Sequence, residues 1–341
     1  MALTKILDTI EPAVFLNYMK EYTPEKFDLL GSSAIAPLPG EISGQMTAGG
    51  RIIDMPFWQD TDRTEPDLLT DDDTVSAVEK KITAARETAR KLYWGTARQQ
   101  ADLAGAVATG SVKDPLAQIA DFIANYWRAQ KQIAAVKVLD GVLADNVAND
   151  SADMRYVTYS DVVSGSITSA MRISPAAVTA VRLTMGEMMN DLDTIIMHSK
   201  VYGDALNQEA ITFVQPSGLP FSIPKFAGMN VVVSDQCTVT AGTNSPKYRA
   251  YIVGSGSMYM GEHYPEMAVE TYREPRKGRG GGVTSLFTRR HVLIHPKGFR
   301  FLSATITAGE ASPNFTQLAT ATNWDRVRQR KNIKLAYLET N

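Results

Sequence analysis

The chain has 341 residues, 44% of them hydrophobic and 21% charged, and a formal net charge of −2. That length allows about two domains with a substantial core, and the composition is that of an ordinary soluble folded protein. The near-neutral charge argues against a chain that clamps nucleic acid globally through its phosphates. The single cysteine, Cys237, allows no intrachain disulfide and suits a reducing compartment. No run of 18 apolar residues suggests a membrane span, and Met1 to Asp8 does not read as a signal peptide.

Residues 1–45 open with a short amphipathic stretch, Ile6 to Met19, and then pass through Gly31, Pro37, Pro39, Gly40 and Gly44. These are too many breakers for one helix, so an extended N-terminal arm is expected over 1–47.

Residues 48–98 read as a long hairpin with a polar tip. Arg51 to Trp58 has strand character, with Pro56 indicating an edge. The tip, 59–74, holds seven acids (Asp60, Asp62, Glu65, Asp67, Asp71, Asp72, Asp73) against Arg63, a formal charge of −6. The returning limb, 80–98, holds six bases (Lys80, Lys81, Arg86, Arg90, Lys91, Arg98) against Glu87, a formal charge of +5. A charge run is most simply a solvated face. Opposite signs segregated along one excursion suit contact with a neighbouring copy instead. Asp60, Asp62, Asp71, Asp72, Asp73, Lys80, Lys81, Arg86 and Arg90 are therefore the expected inter-subunit residues.

Residues 114–145 predict the longest helix. Asp114 fits an N-cap and Pro115 the first helical position. Leu116, Ile119, Ile123, Trp127, Ala134, Val138 and Val142 then recur at helical spacing and form one apolar stripe, with Leu116, Ile119, Ile123 and Trp127 as expected core. Such a helix runs roughly 45 Å, long for a compact domain and suited to a strut.

Residues 151–254 read as a separate α/β unit: a helix from Ser174-Pro175 to about Asn190, a short strand at Thr194 to His198, a helix at Lys200 to Gln208, and strands at Gly228 to Val233 and Tyr248 to Val253. Residues 255–341 return to β character, with strands expected at Met267 to Arg273, Thr284 to His295, Phe299 to Ile306 and Ile333 to Leu338. Arg276 to Gly282 reads as a mobile glycine-rich loop rather than a phosphate cradle, because no helix start follows it.

Enzymatic signatures are missing. No lysine precedes Ser or Thr, so there is no phosphate loop, and neither Gly-x-Gly-x-x-Gly nor Gly-x-Ser-x-Gly occurs. His291 and His295 have helical metal spacing but sit in a strand-like run, where four residues place them roughly 13 Å apart. No catalytic, metal or cofactor residue is therefore assigned.

The order of elements resembles the major capsid proteins of tailed phages, the family with the Hong Kong 97-type fold. The breaker-rich arm precedes a hairpin that looks like the family's extended loop. Asp114 to Trp127 is similar to the spine helix of its peripheral domain, and Ile195 to Leu206 to the strand and helix of its axial domain. Asn323-Trp324 followed by Arg328 to Leu338 looks like the closing segment of one subgroup. The resemblance implies an α+β fold divided into arm (1–47), extended loop (48–98), peripheral domain (99–150 and 255–341) and axial domain (151–254). It implies self-assembly into hexamers and pentamers of an icosahedral head around double-stranded DNA, with a portal protein and assembly in the host cytoplasm. With no long charged helical extension before the arm, a separate scaffolding protein is expected. Decoration proteins are left open. Two other readings remain: an encapsulin-type compartment, which needs a groove for a cargo peptide, and an α+β enzyme, which needs titratable residues converging in one pocket.

Overall fold

The computed structural model describes residues 28–60, 65, 66, 68–72, 74, 76, 79, 81–103, 115–162, 167–214, 223–307 and 309–341; for 41, 115–121 and 223 it describes the backbone alone. The amphipathic stretch Ile6 to Met19 and the charged residues Asp62, Arg63, Asp67, Asp73 and Lys80 lie outside the described residues.

The first described elements are β1 (Ile35–Pro37) and α1 (Gly40–Thr47). A helix thus begins at one of the expected breakers, since Pro39 and Gly40 stand at its start, where missing amide partners cost nothing. Strands β2 (Ile52–Trp58) and β3 (Ala84–Arg90) pair antiparallel from Ile52↔Arg90 to Trp58↔Ala84. The chain continues through Lys91 alone into β4 (Leu92–Ala101). The expected returning limb is therefore two strands in two different sheets. Lys91 is the point of division.

Helix α2 (Pro115–Asn149) is 35 residues, about 52 Å. Ala134, Ala135, Val138, Leu139, Val142 and Leu143 face a core shared with both sheets. After it come β5 (Arg155–Val157), α3 (Pro175–Leu183), β6 (Leu192–Met197), α4 (Ser199–Asn207), β7 (Ile211–Val214), β8 (Ile223–Phe226), β9 (Met229–Val233), β10 (Val239–Thr240) and β11 (Lys247–Gly254). The Ser174 hydroxyl caps α3 by accepting from the Ala177 amide, with Pro175 at the first turn. The remaining elements are β12 (Met258–His263), β13 (Val269–Glu274), β14 (Val283–Pro296), β15 (Phe299–Phe301), α5 (Phe315–Leu318), β16 (Trp324–Arg326) and β17 (Leu335–Thr340). The expected strand from Phe299 to Ile306 stops at Phe301.

One sheet is built on the 14-residue β14. Its first half lies between β4 and β13; its second half pairs with β12, which carries β1 on its outer edge. The other sheet has the order β5-β17-β11-β6-β9-β8-β7. Its central strands are covered on both faces, which explains their unbroken apolar runs. Ile195, Ile252 and Leu338 point to α3 and α4, while Ile196, Tyr251 and Tyr337 point to the core under α2. The final strand β17 pairs with β11 and β5, so residues 335–340 belong by hydrogen bonding to the sheet of 151–254 and not to the peripheral segment the sequence grouped them with. The reason is burial: Leu335 to Leu338 alternate between two cores, and only a central position covers both phases.

Candidate inter-subunit surface and its anchorage

The hairpin of β2 and β3 has an exposed outer end and a buried root. At the outer end Trp58 is 74% exposed and Ile82 61%, and Leu68 and Leu69 are almost wholly in solvent. Asp60, Asp71, Asp72 and Lys81 are exposed there too, and Arg86 meets Asp54 at 3.5 Å on the ribbon's open face. Asp72 is held by its own loop. Its Oδ1 accepts from the Thr74 hydroxyl at 2.6 Å and the Thr74 amide at 2.9 Å, which holds its carboxyl below the usual range.

Sequence reasoning missed the root. Glu87 is buried and in phase with Ala89 on β3, and its carboxylate takes a hydrogen bond from Arg328 Nε, 241 residues further on. Its other oxygen stands 3.7 Å from His295 Nε2, too far for a hydrogen bond. Burial works against the Glu87 charge, but His295 and Arg328 outweigh it and keep the carboxyl below its ordinary range. Arg90, expected to face a neighbour, donates to the Ser303 hydroxyl and the Ala311 carbonyl of its own chain, both at 3.3 Å. Lys91 is also buried. Its ammonium donates to the carbonyls of Gln45 at 2.5 Å and Ala48 at 2.7 Å, closing the C-terminal end of α1 where carbonyls lack helical partners. The one signal for this in the sequence was phase, because Ala85, Glu87 and Ala89 alternate with less buried neighbours.

The remaining expected residues divide as follows. Ile123 and Trp127 are buried against Leu286 of β14, and Trp127 stacks at 6.3 Å on Trp94 of β4. The side chains of Leu116 and Ile119 lie outside the described residues. Gly141 lets α2 approach the closing segment: a β-carbon there would lie 2.1 Å from the Leu318 carbonyl oxygen and 2.4 Å from the Trp324 indole nitrogen. That indole donates to the Leu318 carbonyl at 2.7 Å, so the Asn323-Trp324 pair noted in the sequence is a seam against the long helix.

A second buried polar centre ties α2 to the sheet that holds β5, β11 and β17. Asp140 accepts from Arg249 at 2.6 Å and from the Tyr251 hydroxyl at 2.7 Å, while Glu339 of β17 accepts from Arg249 at 3.0 Å and from Arg155. Burial opposes the Glu339 charge, and Arg249, Arg155 and Lys247 together hold its carboxyl below the ordinary range.

Arg276 to Gly282 forms a tight turn in which Gly278, Arg279, Gly280 and Gly282 all have positive φ. Beside Gly282, Arg273 pairs with Asp102 at 2.6 Å. Among the described residues no group of three or more His, Cys, Asp or Glu side chains could hold a metal ion, and no helix is long and apolar enough to cross a membrane.

The mixed arrangement of helices and sheets matches that of solved phage capsid structures. The chain superposes on the capsid of Ralstonia phage GP4 with a TM-score of 0.56 at 9% identity, covering 96% of this chain and 95% of that one. For the capsid asymmetric unit of cyanophage Pam1 the TM-score is 0.57 at 9% identity with the same coverage, and for Mycobacterium phage Bobi it is 0.52 at 10% identity. No protein-family model matches. Over 338 residues the chain is 30% identical to the major capsid protein of Bacillus phage SPP1, covering 98% of this chain and 97% of that one. The chain belongs to the family of tailed-phage major capsid proteins: it is a coat protein of the virion, and its function is to self-associate into the capsid.

Proposed function

We propose that this coat protein forms hexamers and pentamers of an icosahedral shell around packaged double-stranded DNA, assembling in the host cytoplasm and catalysing no reaction. The observation that carries this reading is the outer end of the hairpin, where Trp58, Leu68, Leu69 and Ile82 are exposed beside the charged residues. A lone two-stranded ribbon is marginal in water, and four large apolar side chains exposed along one excursion of the chain favour an interaction surface. A neighbouring copy that covers them also desolvates Asp60, Asp71, Asp72, Lys81 and Arg86, which then select the docking position. Asp62, Asp73 and Lys80 complete the same set. On this reading the arm (1–47) and hairpin (48–98) bridge between copies. The peripheral part (99–150 and 255–341, apart from β17) and the axial part (151–254) form the tile. A separate scaffolding protein and a portal protein are the further partners. The test is electron microscopy of the expressed chain beside a variant in which 61–80 is replaced by a short turn. Closed shells from the full chain and folded, unassembled subunits from the variant are expected. Closed shells from the variant would refute the hairpin's role, and turnover of nucleotides, esters or peptides that one substitution abolishes would refute the non-enzymatic role.

A further inference from the structure

His291 and His263 are 28 residues apart in sequence, yet the antiparallel register of β12 and β14 sets them directly opposite each other. Their ring centroids lie 5.8 Å apart with the planes inclined at 48°. On the other side of His291, the register with β4 places Tyr93, whose ring stands edge-on at 4.5 Å. Tyr93 is held there because its hydroxyl donates to the Gly50 carbonyl at 2.8 Å. Both histidines are part-exposed, and among the described residues neither ring makes a hydrogen bond. A cross-strand pair of this kind has its β-carbons only about 4.5–5.5 Å apart, so small side-chain rotations suffice to converge the rings.

We propose that His263 and His291 form a two-imidazole site for a borderline divalent transition-metal ion, with zinc, nickel or copper(II) as the chemical class. An imidazole nitrogen binds such an ion at about 2.0–2.1 Å, which puts the ion roughly 3 Å from each ring centre and two sharing rings roughly 5–6.5 Å apart. The observed 5.8 Å falls inside that range. Nitrogen-only ligation favours these ions over magnesium or calcium, and water fills the open positions. The nearby charge that opposes binding is the Lys91 ammonium, whose hydrogen bonds run to the carbonyls ending α1. Glu262 is committed to Lys131 and Arg290 and supplies no ligand. The ion would cross-link β12 to β14 beside the root of the hairpin, stabilising the folded state in proportion to its occupancy.

The test is calorimetric titration of the purified full chain with zinc chloride at pH 7.5, alongside His263→Asn, His291→Asn and His198→Asn. His198, 3.8 Å from Asp235, is the rival two-ligand site. One zinc per chain is expected, at least tenfold weaker in the first two variants and unchanged in the third. No heat, or equal affinity after His263→Asn, would overturn the proposal. A measurement that needs no variant is copper(II) broadening of the histidine ring protons by NMR. Two of the four histidine signals should broaden together, and broadening of none, one or all four counts against the site.

Discussion

Lys91 Nζ lies 2.7 Å from the carbonyl oxygen of Ala48, and this contact holds the single residue between two strands against the end of a helix 43 residues earlier. The strand pairing of β2 with β3 and that of β4 with β14 meet at this residue, so the ammonium fixes where the hairpin leaves the body of the subunit. Lys91→Met keeps the stem but leaves the carbonyls of Gln45 and Ala48 without a donor. The expected loss is about 1–3 kcal/mol, read as a lower melting temperature with faster amide exchange in 40–58.

Glu87 sets a pH dependence at the same root. Its carboxyl is depressed in the folded subunit, so the stability it contributes is present above the ordinary value of 4.5 and disappears as pH falls through the lower folded value. Glu87→Gln should flatten that acid-side slope by the share Glu87 contributes, leaving the part due to Glu339. It should also cost about 1–3 kcal/mol at pH 7, because the Arg328 guanidinium loses the charged acceptor of its hydrogen bond. Denaturant melts of both chains between pH 3 and 7 check this. A slope as steep in the variant as in the parent would assign it wholly to other groups.

Asp145 works in the opposite sense. Burial first, and then the charges of Asp150 and Asp325, push its carboxyl up from 3.8 to about 6. Its Oδ1 accepts from Asn149 at 2.6 Å, while its buried Oδ2 has no hydrogen-bond partner among the described residues. A raised folded value means that the unfolded chain ionises first, so stability declines as pH rises from about 4 to about 6 and stays reduced above. Asp145→Asn should therefore raise stability by about 1–3 kcal/mol at pH 7.5 and change little at pH 4. Paired melts at the two pH values decide the matter.

Gly141→Ala tests the seam between α2 and the closing segment. A methyl group 2.1 Å from the Leu318 oxygen cannot be accommodated without moving Trp324 or the long helix. Overpacking of this kind costs about 1–3 kcal/mol or more, and a melting temperature within error of the parent would show that the seam yields freely.

The acidic tip gives a different signature. Replacing Asp71, Asp72 and Asp73 together by Ala should leave the subunit's melting temperature nearly unchanged, since isolated exposed charges contribute at most about 1 kcal/mol each. Light scattering should show slowed assembly with altered salt dependence, because such contacts are screened over about 8–10 Å. A variant that melts much lower and still assembles normally would place the tip in the subunit's own fold.

The sequence by itself determined the elements whose periodicity is strong. The stripe with Ile123 and Trp127 specified α2, and the apolar runs at Tyr248 to Val253 and Ile333 to Leu338 specified two central strands, because local spacing already encodes which faces must leave water. The phosphate and nucleophile motifs it lacks were legible in the same way. Tertiary structure alone decided the long-range matches: Glu87 with Arg328, Lys91 with the end of α1, β17 between β5 and β11, and His263 opposite His291. Glu87 and Lys91 looked like solvated charges because a charged residue carries no local sign of its partner, and burial becomes tolerable only where a complementary group arrives from elsewhere in the chain. Histidines 28 residues apart have no periodic relation either; a strand register, set by the packing of both faces of β14, is what brings their rings together.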